Sequence, residues 1–140
     1  MKQNYVTLAE YKVLEEQYHN AHITSIEEED KWRATLKDMR KRILPEVGMG
    51  ATEVLYSDLR AKTITRVISP NKIEVMENKT NCIDYFGDVY EILDEINPYM
   101  RVETYTRRKS GMWRMEGRPD KRGEVWLDIT RRSHSIDPTF

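Results

Sequence analysis

The stretch Pro45-Glu46-Val47-Gly48-Met49-Gly50-Ala51-Thr52-Glu53-Val54-Leu55-Tyr56 is where one periodicity gives way to another. Before it, apolar residues recur at spacings of three and four, the signature of a helix face. After it, short runs rich in β-branched and aliphatic residues take over, the signature of strands. Pro45 stops a helix, and Gly48-Met49-Gly50 turns the chain into a sheet. The boundary predicts a helical pair over 1–47 and a β domain over 48–140. The fold class expected is α+β, an N-terminal helical pair followed by a small antiparallel β-sheet.

Working back from Pro45, two helix starts are visible. Thr7-Leu8-Ala9-Glu10 and Ser25-Ile26-Glu27-Glu28 both have the capping-box pattern, in which a hydroxyl and a carboxylate cover free backbone N–H groups. Leu8, Tyr11, Leu14, Tyr18 and Ala21 line one face of the first helix, and Trp32, Leu36, Met39 and Ile43 one face of the second. Acidic residues crowd the start of the second helix and basic residues its end, as the helix dipole favours. The narrow apolar stripes suit packing on each other or on a second copy of the chain.

Working forward, Thr52–Tyr56, Thr63–Ile68, Ile73–Met76, Met100–Thr106, Met112–Met115 and Glu124–Ile129 read as strands. Asn78–Asp88 reads as polar and irregular. Val89–Ile96 fits a helix by its Val89, Leu93 and Ile96, and a strand by its Val89-Tyr90-Glu91-Ile92.

The chain has 140 residues with 23 Lys+Arg and 24 Asp+Glu. That near balance argues against a generic nucleic-acid coat, so no long nucleic acid is expected as partner. No run approaches the roughly 20 apolar residues of a membrane span, so no membrane partner is expected. Met1–Tyr5 has no apolar signal core, which predicts a cytoplasmic protein. The charge is uneven: residues 101–140 hold 10 basic and 6 acidic side chains, which makes the last forty residues the anion-facing part.

Several motifs point to no chemistry. His19 and His22 have metal-compatible spacing but lack further ligands, so no metal is expected. Cys82 has no nucleophile signature around it. Gly48-Met49-Gly50-Ala51 precedes a strand, whereas a phosphate cradle precedes a helix. Asn78-Lys79-Thr80 is a glycosylation sequon that stays inert without secretion. Tyr56-Ser57-Asp58-Leu59-Arg60-Ala61-Lys62-Thr63 is a polar turn between apolar strands. It would put Arg60 and Thr63 at one end of the sheet, with Trp113, Arg114, Arg131 and Arg132 converging there. Arginines beside an aromatic ring suit a phosphorylated adenine nucleotide, through bidentate bonds to phosphate and stacking on the base. A turn with scattered surface arginines fits the same residues.

Gly48-Met49-Gly50-Ala51-Thr52 through Tyr56-Ser57-Asp58, then Thr63 and Val67, resembles a phage protein pattern. So do a late basic hairpin with a tryptophan, Arg107-Arg108-Lys109-Ser110-Gly111-Met112-Trp113, and the endings Arg131-Arg132-Ser133-His134 and Asp137-Pro138-Thr139-Phe140. The match spans about residues 48–140 and is similar to the phage Thoeris anti-defence sponges. One position departs: the arginine that follows Tyr-Ser-Asp in the pattern is Leu59 here, with Arg60 one place later, which shifts or removes its contact. The resemblance implies a protein that binds a cyclic ADP-ribose signal and holds it without cleaving it. It further implies dimers or larger homo-oligomers, and cyclic oligonucleotides as additional ligands.

The expectation is therefore a non-enzymatic, phage-encoded binder of a cyclic nucleotide in the host cytoplasm, with no cofactor. Arg60, Arg107, Arg108, Arg114, Arg131 and Arg132 are expected on phosphate, and Tyr56 or Trp113 stacked on the base. Asp58, Thr63 and Asp137 are expected to order the site or bind ribose hydroxyls. A protein-binding inhibitor of a host defence effector, such as an anti-CRISPR, is the alternative, with Glu27–Asp30 mimicking phosphates. A nucleotide-degrading enzyme ranks last, with Asp58 and His134 as its one available acid–base pair.

Overall fold

The structure, a computed structural model, describes residues 4–136. The chain divides into two compact units, Met1–Leu44 and Pro45–Phe140.

In the first unit, α1 (Leu8–Asn20) and α2 (Ile26–Arg40) pack on each other. Thr7 closes a full capping box on α1: its Oγ1 accepts from the Glu10 amide at 3.1 Å and its own amide donates to the Glu10 carboxylate at 3.3 Å. Ser25 Oγ accepts from the Glu28 amide at 3.1 Å and starts α2. Tyr11 and Leu36 are buried, and the Tyr18 and Trp32 rings meet at 5.9 Å. The second helix ends at Arg40, five residues before Pro45. The backbone tightens there, with the Arg42 amide on the Met39 carbonyl. Ile43 leaves the helical stripe and forms a parallel bridge with Val6, flanked by bonds from Val6 N to Arg42 O and from Leu44 N to Val6 O. A bridge that satisfies two backbone pairs wins over one more helical turn.

The second unit has seven strands: β1 (Gly50–Val54), β2 (Leu59–Ser69), β3 (Lys72–Asp84), β4 (Val89–Ile96), β5 (Glu103–Arg107), β6 (Trp113–Met115) and β7 (Trp126–Asp128). All pair antiparallel in the order β2-β1-β7-β6-β5-β3-β4, and β3 pairs back onto β2. The expected small sheet is therefore a closed barrel. Closure follows from the two long strands. The β2–β3 register shifts between Ile64 and Arg66 and again between Val67 and Ser69, and such bulges bend and twist a sheet.

Strand β3 outruns the barrel. Its second half, Asn78 to Asp84, pairs with β4, so of the segment Asn78–Asp88 read as irregular, residues 78–84 are strand and 85–88 form the turn. It is polar because Asn81–Asp84 are exposed. The ambiguous Val89–Ile96 is strand for the same reason: β3 supplies its partner.

Alternation fixes what faces the interior. Ala51 and Glu53 on β1 lie opposite Lys62 and Arg60 on β2; Lys62 and Ile64 lie opposite Glu77 and Val75 on β3; Val75 and Ile73 lie opposite Glu103 and Tyr105 on β5. Tyr105 and Arg107 continue to Met115 and Trp113, and Trp113 to Leu127. Ile64, Ile73, Val75, Tyr105, Trp113 and Leu127 on this face are at most 3% exposed and form the core. The same face carries Glu53, Lys62, Glu77 and Glu103, a polar layer next to the apolar one.

On the opposite face the segment 131–136 crosses β1 and β2. Thr52 Oγ1 donates to the Arg131 carbonyl and accepts from the Ser133 amide, and Leu59 and Ser135 exchange both backbone bonds. Asp88, with φ +55°, accepts from the Ser135 hydroxyl and the Ile136 amide, which ties the β3–β4 turn to the same segment.

Candidate functional site

The expected site residues fall into separate places. Arg107 and Trp113 lie opposite each other on β5 and β6, inside the barrel. The Arg107 guanidinium sits 4.7 Å from the Trp113 ring and donates to the Pro70 carbonyl at 2.6 Å. This arginine therefore pins the β2–β3 turn, and the Trp113 ring, 3% exposed, is core rather than a stacking platform.

Arg108 and Arg114 work on the outside of the same hairpin. Arg108 donates to Thr106 Oγ1 and the Met115 carbonyl, and Arg114 to Asp120 and the Glu124 carbonyl. The Ser110 hydroxyl and Arg114 hold the Asp120 carboxyl below its ordinary range.

Thr63 and Arg132 do meet, at 2.9 Å, as the sequence suggested. The contact is architectural: Arg132 also reaches the Lys62 carbonyl and Asp94, and Thr63 donates to buried Asn78. Arg131 is exposed and pairs with Asp128 at 3.5 Å. Asp58 helps shape the turn, its carbonyl accepting from the Leu55 amide. Asp137 lies outside the described residues. Arg132 alone thus reaches Thr63, and Trp113 and Arg114 do not gather around Arg60 and Thr63. Strand pairing explains this: β6 sits between β5 and β7, away from β2.

Among the described residues of the barrel unit, two cavities bring charged and aromatic side chains together. The first, about 270 Å³, opens between the β1–β2 turn and the β6–β7 connection. Tyr56 and Arg114 line it together with Arg122, Met112 and Trp126. Tyr56 and Arg122 are exposed and Trp126 is half-buried, so two cations and two aromatic rings border one opening. Arg122 and Trp126 were not singled out in the sequence. Both sit in the basic stretch and final strand, where the notable signal was a run of charge rather than a geometry.

The second cavity, about 370 Å³, has the polar layer as its wall. Lys62, 1% exposed, is ringed by three carboxylates: Glu103 at 2.5 Å, Glu77 at 3.4 Å and Glu53 at 3.9 Å. Arg60 adds a second cation, 3.4 Å from Glu77. Tyr105 donates its hydroxyl to Glu53. Burial holds the Glu53 carboxyl above its ordinary value, against the pull of the Tyr105 hydroxyl and the Lys62 ammonium. Burial, reinforced by the Glu53 carboxylate, holds the Tyr105 phenol far above its ordinary value. Ion-paired and hydrogen-bonded groups of this kind present fixed charges to a ligand. The sequence did carry a signal for them: Lys62 is in phase with Ile64, and Glu77 with Val75, so charge continues along an apolar face.

The chain matches no protein-family model, no curated protein and no solved structure.

Proposed function

We propose that this chain binds a cyclic nucleotide immune signal, of the cyclic ADP-ribose kind, and sequesters it without cleaving it. It would act as a phage anti-defence protein in the host cytoplasm, as a homo-oligomer. The observation that carries this reading is the smaller cavity, where Arg114 and Arg122 border the same opening as Tyr56 and Trp126. Guanidinium groups bind phosphate oxygens bidentately, and aromatic rings stack on bases without demanding one sequence. Tyr56 belongs to the turn that resembles the sponge pattern. The expected phosphate set narrows accordingly: Arg107, Arg108 and Arg132 support the barrel, and Arg122 takes their place. Sequestration needs affinity and slow release, which a preformed opening with fixed donors favours.

Native mass spectrometry with cyclic ADP-ribose isomers and cyclic trinucleotides, followed by heating and analysis of what is released, tests this. An intact nucleotide bound by the wild-type chain and lost in Arg122→Ala supports the proposal. Cleaved nucleotide, or no binding by the wild-type chain, overturns it.

A further inference from the structure

We propose that β4 is a docking edge. It takes up an extended segment of a partner protein, rich in lysine or arginine and in β-branched apolar residues, as a third strand beside the β3–β4 ribbon. From Asn78 to Asp84, β3 has left the barrel and pairs with β4. β4 in turn ends the sheet order and has β3 as its one neighbour. Among the described residues, the backbone groups of β4 bond only to β3: to its main chain and, at the Leu93 carbonyl, to the Asn78 side chain. A strand with one neighbour presents a row of unpaired N–H and C=O groups on its open side, a template for a further strand.

The ribbon also offers that strand apolar contacts. Ile83 is 63% exposed, Phe86 87% and Val89 48%, all at the tip of the ribbon. Large apolar side chains gathered on one exposed spot mark a surface that meets a partner. A two-stranded ribbon is marginal by itself, but this one is fastened to the barrel. Asp88 accepts from Ser135 and Ile136, and the Tyr90 ring meets the His134 ring at 4.9 Å. The edge is therefore held in place before a partner arrives, which lowers the ordering cost of binding.

Charge selects the occupant. Residues 78–96 hold five carboxylates, Asp84, Asp88, Glu91, Asp94 and Glu95, and one cation, Lys79. Lys79 pairs with Glu95, and Arg132 reaches Asp94 from outside the ribbon. Two cations thus answer five carboxylates. A second copy laid antiparallel along β4 would bring Glu91, Asp94 and Glu95 toward their own counterparts, and like charges across a strand pair repel. An anionic lipid surface or a nucleic acid meets the same repulsion. A basic strand meets attraction instead. Acidic side chains on an open edge keep it from pairing with itself and leave it open to a cationic partner.

Fluorescence anisotropy with three labelled octapeptides tests this: alternating lysine and valine, the same peptide N-methylated throughout, and alternating glutamate and valine. The wild-type chain should bind the lysine–valine peptide at least tenfold more tightly than its N-methylated form and should not bind the glutamate–valine peptide. Glu91→Lys with Asp94→Lys, which reverses two exposed charges, should weaken the lysine–valine peptide by tenfold or more and admit the glutamate–valine peptide. Phe86→Ser, at the exposed tip, should weaken the lysine–valine peptide severalfold and keep the wild-type denaturation midpoint. Absence of lysine–valine binding to the wild-type chain overturns the proposal. Equal binding of the N-methylated form also overturns it, because charge alone would then explain the contact. So does a homo-oligomer that Phe86→Ser dissociates, which would put a second copy on the ribbon. Arg122→Ala, which tests the nucleotide cavity, should leave peptide binding unchanged, so either proposal can fail without the other.

Discussion

Lys62 Nζ lies 2.5 Å from Glu103 Oε1 inside the barrel, between strands that are 41 residues apart in sequence. The pair joins β2 to β5 across β3, which contributes Glu77 to the same ammonium. A lysine that is 1% exposed survives burial only because three carboxylates replace its water.

Lys62→Met should therefore destabilise the barrel by about 3–5 kcal/mol at pH 7, since it strands buried carboxylates without their cation. Urea denaturation followed by tryptophan fluorescence measures the loss. The pH dependence separates lost charge from lost packing. Burial already holds the Glu53 carboxyl above its ordinary value, and without the opposing Lys62 ammonium it rises further on folding, so the variant should recover stability as pH falls from 7 toward 5. Equal losses at both pH values would show that packing, not charge, sets the effect.

How far the residues announced this architecture differs between the units. The Thr7–Glu10 capping box was legible because both partners lie within one turn. Ile43 was misread as helical because its true partner, Val6, lies at the other end of its unit. In the barrel unit the change of period near Gly48 located the first strand, but closure depended on β3 pairing with β2 and β5 together, which no local pattern records. The charged layer was legible only in phase: Lys62 and Glu77 stand where Ile64 and Val75 lead one to expect apolar residues. The arginines were the reverse case. A basic hairpin in the sequence looks like an anion site, yet Arg107, Arg108 and Arg114 are hydrogen-bonded to carbonyls of their own fold.

His134 links acidity to stability on the outer face. Its Nδ1 accepts from the Ala61 amide at 3.2 Å, and its ring meets Tyr90 edge-on. Burial holds the imidazole below its ordinary value of 6.5, with Arg60 adding to the effect and Glu77, Asp88 and Asp58 opposing it. With the folded value depressed, the unfolded chain binds the proton first. This contribution is fully present above about pH 6.5 and is lost as pH falls through the folded value. Denaturation midpoints from pH 7.5 to 5 should decline in the wild type more than in His134→Gln, whose amide oxygen can accept the same bond without titrating. Parallel profiles would remove His134 as the source.

Gly50 opens β1 directly under Arg132. A Cβ built there would meet Arg132 Cβ at 2.9 Å and Nε at 3.0 Å. The nearer atom is the root of the side chain, so a rotamer change cannot clear it. Gly50→Ala should cost about 1–3 kcal/mol, the range for forcing extra volume into a packed place. The strain should fall on the Arg132 bonds to the Lys62 carbonyl and Thr63. Arg132→Gly removes the Arg132 Cβ as well as those bonds, and Gly50→Ala should cost less in that background than in the wild type. Additive losses would place the cost elsewhere.

Arg114 and Arg122 border one cavity and should differ in what their loss does to stability. Arg114 is 6% exposed, and its guanidinium satisfies the Glu124 carbonyl at 2.7 Å as well as Asp120 at 3.2 Å. A charged hydrogen bond is worth about 1.5–3 kcal/mol, and its loss leaves a part-buried carbonyl without that donor. Arg114→Ala should lower the denaturation midpoint and weaken nucleotide binding together. Arg122 is exposed, and no hydrogen bond or ion pair holds it among the described residues. Substitution of an exposed side chain away from such contacts usually changes stability by less than about 0.5 kcal/mol. Arg122→Ala should therefore keep the wild-type midpoint and lose affinity for the cyclic nucleotide by tenfold or more. Measuring both quantities on both variants separates the arginine that builds the wall from the one that faces the ligand. An Arg122→Ala chain with unchanged affinity would take the nucleotide out of this cavity, whatever Arg114→Ala does.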